Sequence, residues 1–190
     1  MLLSILIPTM HERAEVLKPL MAHLEKQIDG SGDVEILTFL DARGQNRTGS
    51  KRNMLLKRAQ GKFSAFVDDD DWVSDNYVAT ILRAIYQIHD LDCVGFWGNV
   101  YFANGGEGVM VHSLACPCWR NEGTVYYRPP NHLNPVLTEK ARSVPFKDIT
   151  ISEDHFWSND MIQKGVLKSE VFVGEEPMYI YRCGGHERGL

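Results

Sequence analysis

Residues 62–78 read KFSAFVDDDDWVSDNYV, and this stretch decides the fold. Phe63–Val67 is a short apolar run of the kind that forms a strand buried on both faces, and Asp68, Asp69, Asp70 and Asp71 follow it directly. Four adjacent carboxylates repel one another, so they are either solvated at a loop tip, where the following helix N-terminus favours negative charge, or neutralised by a cation. Upstream, KRNMLLKRAQ reads as a helix with Ser50 as its N-cap and Gly61 marking its end. Downstream, Ser74 or Asp75 can cap a helix whose residues Val78, Ile81, Leu82, Ile85 and Ile88 share one face.

The same alternation extends in both directions. Leu2–Ile7 is a continuous apolar run ended by Pro8, the pattern of a central parallel strand. Val16, Leu17, Leu20, Met21, Leu24 and Ile28 then recur at helical spacing, with Pro19 near the first turn or at a kink and Gly30 and Gly32 as the stop. Val34–Leu40 reads as the second strand and delivers Asp41 at its end, and CVGFWG reads as the fourth. The order β-α-β-α-β-α-β predicts an α/β domain with a parallel sheet and helices on its faces. From Asn99 the runs shorten to VYFA, NGGEG, VMVHSLA and TVYYR, which predict a hairpin-rich, β-rich part. SEDHFWSNDMIQKG resembles a capped helix closed by Gly165, and SEVFV and MYIYR return to strand. Residues 1–98 are thus read as a ligand-binding α/β half, and 99–190 as a second part of the same single domain.

With 190 residues the chain is long enough for one buried core. Lys and Arg number 20 against 25 Asp and Glu, so no whole-chain basic field attracts nucleic acid. Cys93, Cys116, Cys118 and Cys183 lack paired C-x-x-C spacing and are read as free thiols of a reducing, cytoplasmic compartment. The apolar run at the N-terminus is too short for a signal h-region or a transmembrane segment.

In an open parallel sheet, ligands gather beyond the C-terminal strand ends, which here supply Thr9, Asp41 and Asp68–Asp71. One or two of these carboxylates, together with a substrate diphosphate, suit Mg²⁺ or Mn²⁺. Arg52 is expected in the first turn of a helix at this edge, where guanidinium and backbone N–H groups receive phosphate. Glu153 and Asp154 open a later helix; helix-dipole stabilisation explains such residues alone, but a second carboxylate cluster also suits a base that activates a hydroxyl. His186, flanked by glycines in RCGGHERG, is a candidate metal or phosphate ligand, with His132 in PPNHLNP the weaker one.

Taken together, LSILIPTMHERAEVLKPLMAHL, EILTFLDARG, GSKRNMLLKRAQGKFSAFVDDDDWV, NHLNPV and ISEDHFW resemble family 2 glycosyltransferases of the GT-A fold, a Rossmann-like, mostly parallel sheet flanked by helices. The resemblance implies an Asp-x-Asp motif at Asp68-Asp69-Asp70 that holds a nucleoside-diphosphate sugar and its divalent cation, with Asp70 on the metal and Asp68 on the ribose or the metal shell. Asp69 lies within this donor-binding motif and is read, with Asp71, as supporting it. The resemblance also implies nucleoside contacts from Pro8, Thr9 and Glu12, base recognition by Asp41, and Arg52 facing the nucleotide. Asp154 becomes the general base, Glu153 its acceptor-positioning neighbour, and His186 a late metal ligand. Family members often carry Asp-Gly-Ser after the second strand, where this chain has Asp41-Ala42-Arg43-Gly44.

The expected activity is hexosyl transfer, with inversion, from a donor that the family makes UDP-linked to an acceptor hydroxyl. A sugar nucleotidyltransferase would place a glycine-rich loop after the first strand, and IPTMHERAEV has no glycine. A phosphatase with an Asp nucleophile would carry Thr or Val two residues beyond the second Asp of its motif. A nucleotide- or carbohydrate-binding module without turnover is the non-enzymatic alternative.

Overall fold

The structure is a computed structural model that describes residues 1–28, 30 and 32–183. Its first half follows the expected order: β1 (Leu3–Met10), α1 (Ala14–Gln27), β2 (Val34–Asp41), α2 (Thr48–Arg58), β3 (Phe63–Phe66), the short β4 (Trp72–Val73), α3 (Tyr77–Gln87) and β5 (Cys93–Phe102). β1 lies between β2 and β3 and runs parallel to both, with Leu3 opposite Val34 and Phe63. Successive side chains of a strand point to opposite faces. Leu3, Ile5 and Ile7 therefore enter the core formed with α1 and α3, while Leu6 enters a second core with Leu55, Leu56, Trp157 and Met161. Both faces of β1 are covered, which is why its sequence is continuously apolar.

Several boundaries differ from the sequence expectation. α2 begins at Thr48 after Arg47, and Ser50 lies within it, donating its hydroxyl to Asp148 Oδ1 at 2.6 Å instead of capping. Asn76 precedes α3, and the Ser74 hydroxyl donates to Asn76 Oδ1 at 2.8 Å. Gly61 does not end α2, which stops at Arg58; a Cβ at Gly61 would meet the backbone of Leu3 and Ser4. Pro19 sits inside α1, beyond its first turn. Gly165 does close its helix, adopting φ +59°.

The second half contains β6 (Glu107–His112), β7 (Arg120–Glu122), β8 (Val125–Arg128), β9 (Val136–Leu137), α4 (Thr138–Ser143), α5 (Glu153–Gln163), β10 (Glu170–Val173) and β11 (Tyr179–Cys183). β5 and β6 form the predicted hairpin across NGGEG. β9 lies between β3 and β5, antiparallel to each, so β3 and β5 share the direction of β1 and β2. β5 continues unbroken through Asn99, so a division at residue 98 falls within one strand. It also pairs in parallel with β10 and β11. β11 turns to meet β4 in antiparallel register, Tyr179 opposite Val73, which carries the end of the described chain to the aspartate run. Among the described residues, no helix is long and apolar enough to cross a membrane.

Candidate active site

The four aspartates are parted by the turn that follows β3 and divide among several partners, with Arg13 shared by Asp69 and Asp70. Asp68 Oδ1 lies 2.9 Å from Arg52 Nη2. Asp69 accepts the Thr9 hydroxyl at 2.6 Å and pairs with Arg13 Nη2 at 2.9 Å. Asp70 takes the same Arg13 nitrogen at 2.8 Å. Asp71 is buried, accepting the Tyr179 hydroxyl at 2.9 Å and the Arg182 N–H at 2.8 Å. Burial raises the Asp69 carboxyl above its ordinary pKa, with Asp70 and Asp68 adding to the rise against Thr9 and Arg13. Burial, and then the charge of Asp68, pushes Asp71 well up. Asp68 goes the other way. Burial would raise it, but Arg52 and then His132 outweigh burial and hold it far below the usual carboxylate range.

Arg52 joins the two halves of the chain. Its Nε lies 3.1 Å from Glu153 Oε1, and its guanidinium sits 5.0 Å from the centre of the Phe66 ring. Desolvation would lower its pKa, but Asp68, Glu153 and Asp154 raise it above the ordinary value. His132 forms a second bridge, with Nε2 3.4 Å from Asp68 Oδ2 and Nδ1 3.8 Å from Asp154 Oδ2. α5 is entered through Ser152 at φ +67°, a left-handed backbone that a non-glycine residue adopts at a cost of roughly 1–2 kcal/mol. The following residues take different environments: the Glu153 side chain is 6% exposed against Arg52, and that of Asp154 is 29% exposed.

These groups form one end of a cavity of about 380 Å³, lined there by Arg52, Asp68, His132, Glu153 and Asp154. A second part of the lining is aromatic, with Phe102, Trp119 and Tyr126 grouped around one more cation, Arg128, and Tyr181 also lines the cavity. Pairs of acid groups with contrasting environments at a mainly apolar cavity are the ordinary signature of a reaction site.

The sequence-predicted residues separate into those at this cavity and those beneath or beside it. Asp68, Arg52, Glu153 and Asp154 are brought together. Arg52, however, does not present an open guanidinium to phosphate: it is 3% exposed and committed to two carboxylates, and Nη1 has no hydrogen-bond partner among the described residues. Glu153 is likewise turned to Arg52. Asp41 is 4% exposed, with Lys51 at one oxygen and the Asn46 backbone N–H and side-chain amide at the other, at 3.0 and 3.1 Å, so its carboxylate is not open for reading a base. Asp69 and Thr9 bond each other, and Pro8 is buried in β1. Glu12 is exposed and accepts the Arg43 N–H at 3.3 Å; backbone N–H groups, its own first, lower its pKa. His186 lies outside the described residues.

Sequence reasoning set His132 below His186, and the structure places it between Asp68 and Asp154; Arg13, Tyr179 and Arg128 were not singled out. The spacing of His132 from Asp68 and Asp154 carries no signal in one dimension. Arg13 had one: an arginine in the short turn that follows the first strand is a natural counter-charge for carboxylates that follow its parallel neighbour.

The sequence model of glycosyl transferase family 2 matches residues 39–157, a span that holds Asp41, Arg52, the aspartate run, His132, Glu153 and Asp154. No curated protein matches the chain by sequence. Among solved structures, the S. aureus TarS 1–349 structure superposes with a TM-score of 0.72 at 17% identity over 96% of this chain and 60% of that one. TarS 1–349 in complex with UDP gives 0.70 at 16% identity, over the same shares. Glucosyl-3-phosphoglycerate synthase from Mycobacterium tuberculosis, in complex with Mn²⁺, UDP and phosphoglyceric acid, gives 0.57 at 13% identity over 95% of this chain and 70% of that one. At these identities the likeness is one of fold, the GT-A fold, and the chain spans at most 60% of the TarS structures' length.

Proposed function

The chain belongs to glycosyl transferase family 2, and from that premise we propose that it transfers a hexosyl group, with inversion, from a UDP-linked sugar to an acceptor hydroxyl, aided by a divalent cation. The observation that carries the reading is the meeting of Asp68, at the end of β3, with Asp154, at the start of α5, at one end of a single cavity and on opposite sides of His132. Asp154 is the general base. It takes the proton of the acceptor hydroxyl as that oxygen bonds to the anomeric carbon, and the bond from that carbon to the diphosphate oxygen breaks with its electron pair leaving on UDP. Glu153 acts through Arg52, holding the guanidinium that keeps Asp68 charged.

The donor set suits a hard cation held mainly by its substrate. Among the described residues no three His, Cys, Asp or Glu side chains converge as a cage. Mg²⁺ and Mn²⁺ in such sites use one or two carboxylates plus diphosphate oxygens. Asp70 fits best, since its side chain is 27% exposed while those of its neighbours Asp69 and Asp71 are buried. Asp68 is the second, although Arg52 and His132 already occupy its oxygens. A bound cation would stabilise the charge that develops on the leaving diphosphate. Pro8, Thr9, Glu12 and Asp41 are then the frame of the nucleoside site, with Glu12 the group free to touch it. A cytoplasmic location belongs to the same proposal and rests on cysteines without paired spacing.

The test is a thermal-shift titration with UDP, GDP, dTDP and CDP, each with and without Mn²⁺, since ligands of the native state raise its apparent stability. A metal-dependent shift with UDP is expected. Asp70→Ala should abolish it, whereas Asp154→Asn should keep it and lose about 10²–10⁴-fold in turnover. No shift with any nucleotide, or equal loss of donor binding in both variants, overturns the reading. A product that retains the donor's anomeric configuration removes inversion from it.

A further inference from the structure

The two arginines at the cavity are differently satisfied. Arg52 has two carboxylates; Arg128, at the aromatic end, has none within ion-pair distance among the described residues. Its Nη1 is fixed by three oxygens, the Arg120 carbonyl at 3.0 Å, Asn121 Oδ1 at 2.9 Å and the Tyr127 carbonyl at 2.8 Å. Its guanidinium lies 4.7 Å from the Trp119 ring centre and 5.5 Å from that of Tyr126. Nε and Nη2 make no hydrogen bond to the described protein, so the fork that recognises a carboxylate or phosphate is oriented but unused. Burial lowers the Arg128 pKa, with Tyr126 and Asp154 opposing, as for a cation short of counter-charge. Beside it, the Trp119 indole N–H is buried without an acceptor among the described residues, a donor that costs free energy until one arrives.

We propose that this end of the cavity is the acceptor subsite, and that it takes a saccharide carrying a carboxylate or phosphate, which Arg128 reads while the sugar face lies on Tyr126 and Phe102. Those two rings stand 5.8 Å apart and tilted at 57°, and their negative faces suit the polarised C–H face of a pyranose. The inference rests on the transferase reading, because it is Asp154 that makes the neighbouring end the place where a hydroxyl reacts.

Three probes test it by NMR of the indole N–H groups at low salt, with Trp119 assigned through Trp119→Phe: methyl glucuronide, glucose 6-phosphate and methyl glucoside. At least one anionic sugar should shift the Trp119 resonance and bind about tenfold or more tightly than the neutral glucoside, an advantage that added salt erodes. Which anionic probe binds better assigns carboxylate or phosphate. Arg128→Met should erase the advantage and Arg128→Lys keep part of it. Anionic sugars no tighter than the glucoside, no shift at Trp119, or an advantage that survives Arg128→Met overturns the proposal. The wild-type comparison needs no variant to fold. UDP binding, read in the same samples, separates the two readings: UDP without anion preference sinks this inference alone, and anion preference without UDP sinks the transferase reading and leaves an anionic-sugar site.

Discussion

The Arg52 end and the Arg128 end of one cavity are built on opposite plans. At the first, a buried guanidinium is matched by carboxylates from β3 and α5, and most of its polar atoms are spoken for. At the second, aromatic rings surround a cation that has no carboxylate within ion-pair distance among the described residues. The difference teaches where rigidity and where recognition reside. Buried charges that satisfy one another fix geometry and are costly to break, whereas a cation left short of counter-charge gains most from a ligand.

The largest expected effect strikes the matched end. Arg52→Met strands Asp68 and Glu153 in the interior and should cost about 3–5 kcal/mol of stability by urea denaturation at neutral pH. The Asp68 pKa is depressed in the folded state, so its contribution is present above the unfolded value of about 3.9 and is lost as pH falls through and below it. The gap between wild type and variant should therefore narrow below about pH 4. A gap that stays constant to pH 2 would show that Asp68 is not the charge Arg52 supports.

Next in size is the pH response of His112, a buried residue of the cavity lining that stacks on Phe96 and meets Asn131 Oδ1 at 3.1 Å. Burial, and then His132, pulls its pKa down to about 4. Below about 6.5 the unfolded chain takes a proton that the folded chain refuses, so stability should fall on acidification to about pH 4, by an amount on the order of 3 kcal/mol. His112→Gln should flatten that slope; an unchanged slope assigns the proton uptake to another group.

The smallest effects come from two tyrosines on β11. Tyr179 donates to Asp71 and accepts the Asp68 N–H at 3.1 Å, so Tyr179→Phe should cost about 1–3 kcal/mol. Tyr181, whose hydroxyl makes no hydrogen bond among the described residues, should lose its hydroxyl within about 0.5 kcal/mol. Equal losses in the two variants would show that the hydrogen bonds of Tyr179 contribute no more than the hydroxyl of Tyr181.

Much of this was legible in the linear chain, and what escaped it has a physical cause. Hydrophobic periodicity places β1, β3, α1 and α3 because they bury what they repeat, and it missed the short β4, whose two residues have no period to show. It missed α4, a short helix with two buried side chains, and it split β5 at Gly98 and Asn99, which read as a turn but pair on through the strand. Helix caps were misplaced because Ser50 and Ser74 found partners other than the N–H groups of their own helices. Carboxylate clusters announced themselves as chemistry; their pairing did not, since Arg52 reads as a phosphate ligand and His132 as a weaker candidate until the sheet is assembled, and Arg13 alone carried a local signal.

The sequence by itself determined the α/β order, the family, and the two acidic clusters, because apolar period and adjacent like charge are local properties of a chain. Tertiary structure alone decided which aspartates are buried and which stay part-exposed, that Arg52 braces the site instead of facing phosphate, and that Arg128 has no carboxylate within ion-pair distance among the described residues. Those outcomes depend on desolvation and on charges brought together from distant segments, and neither exists before the chain folds.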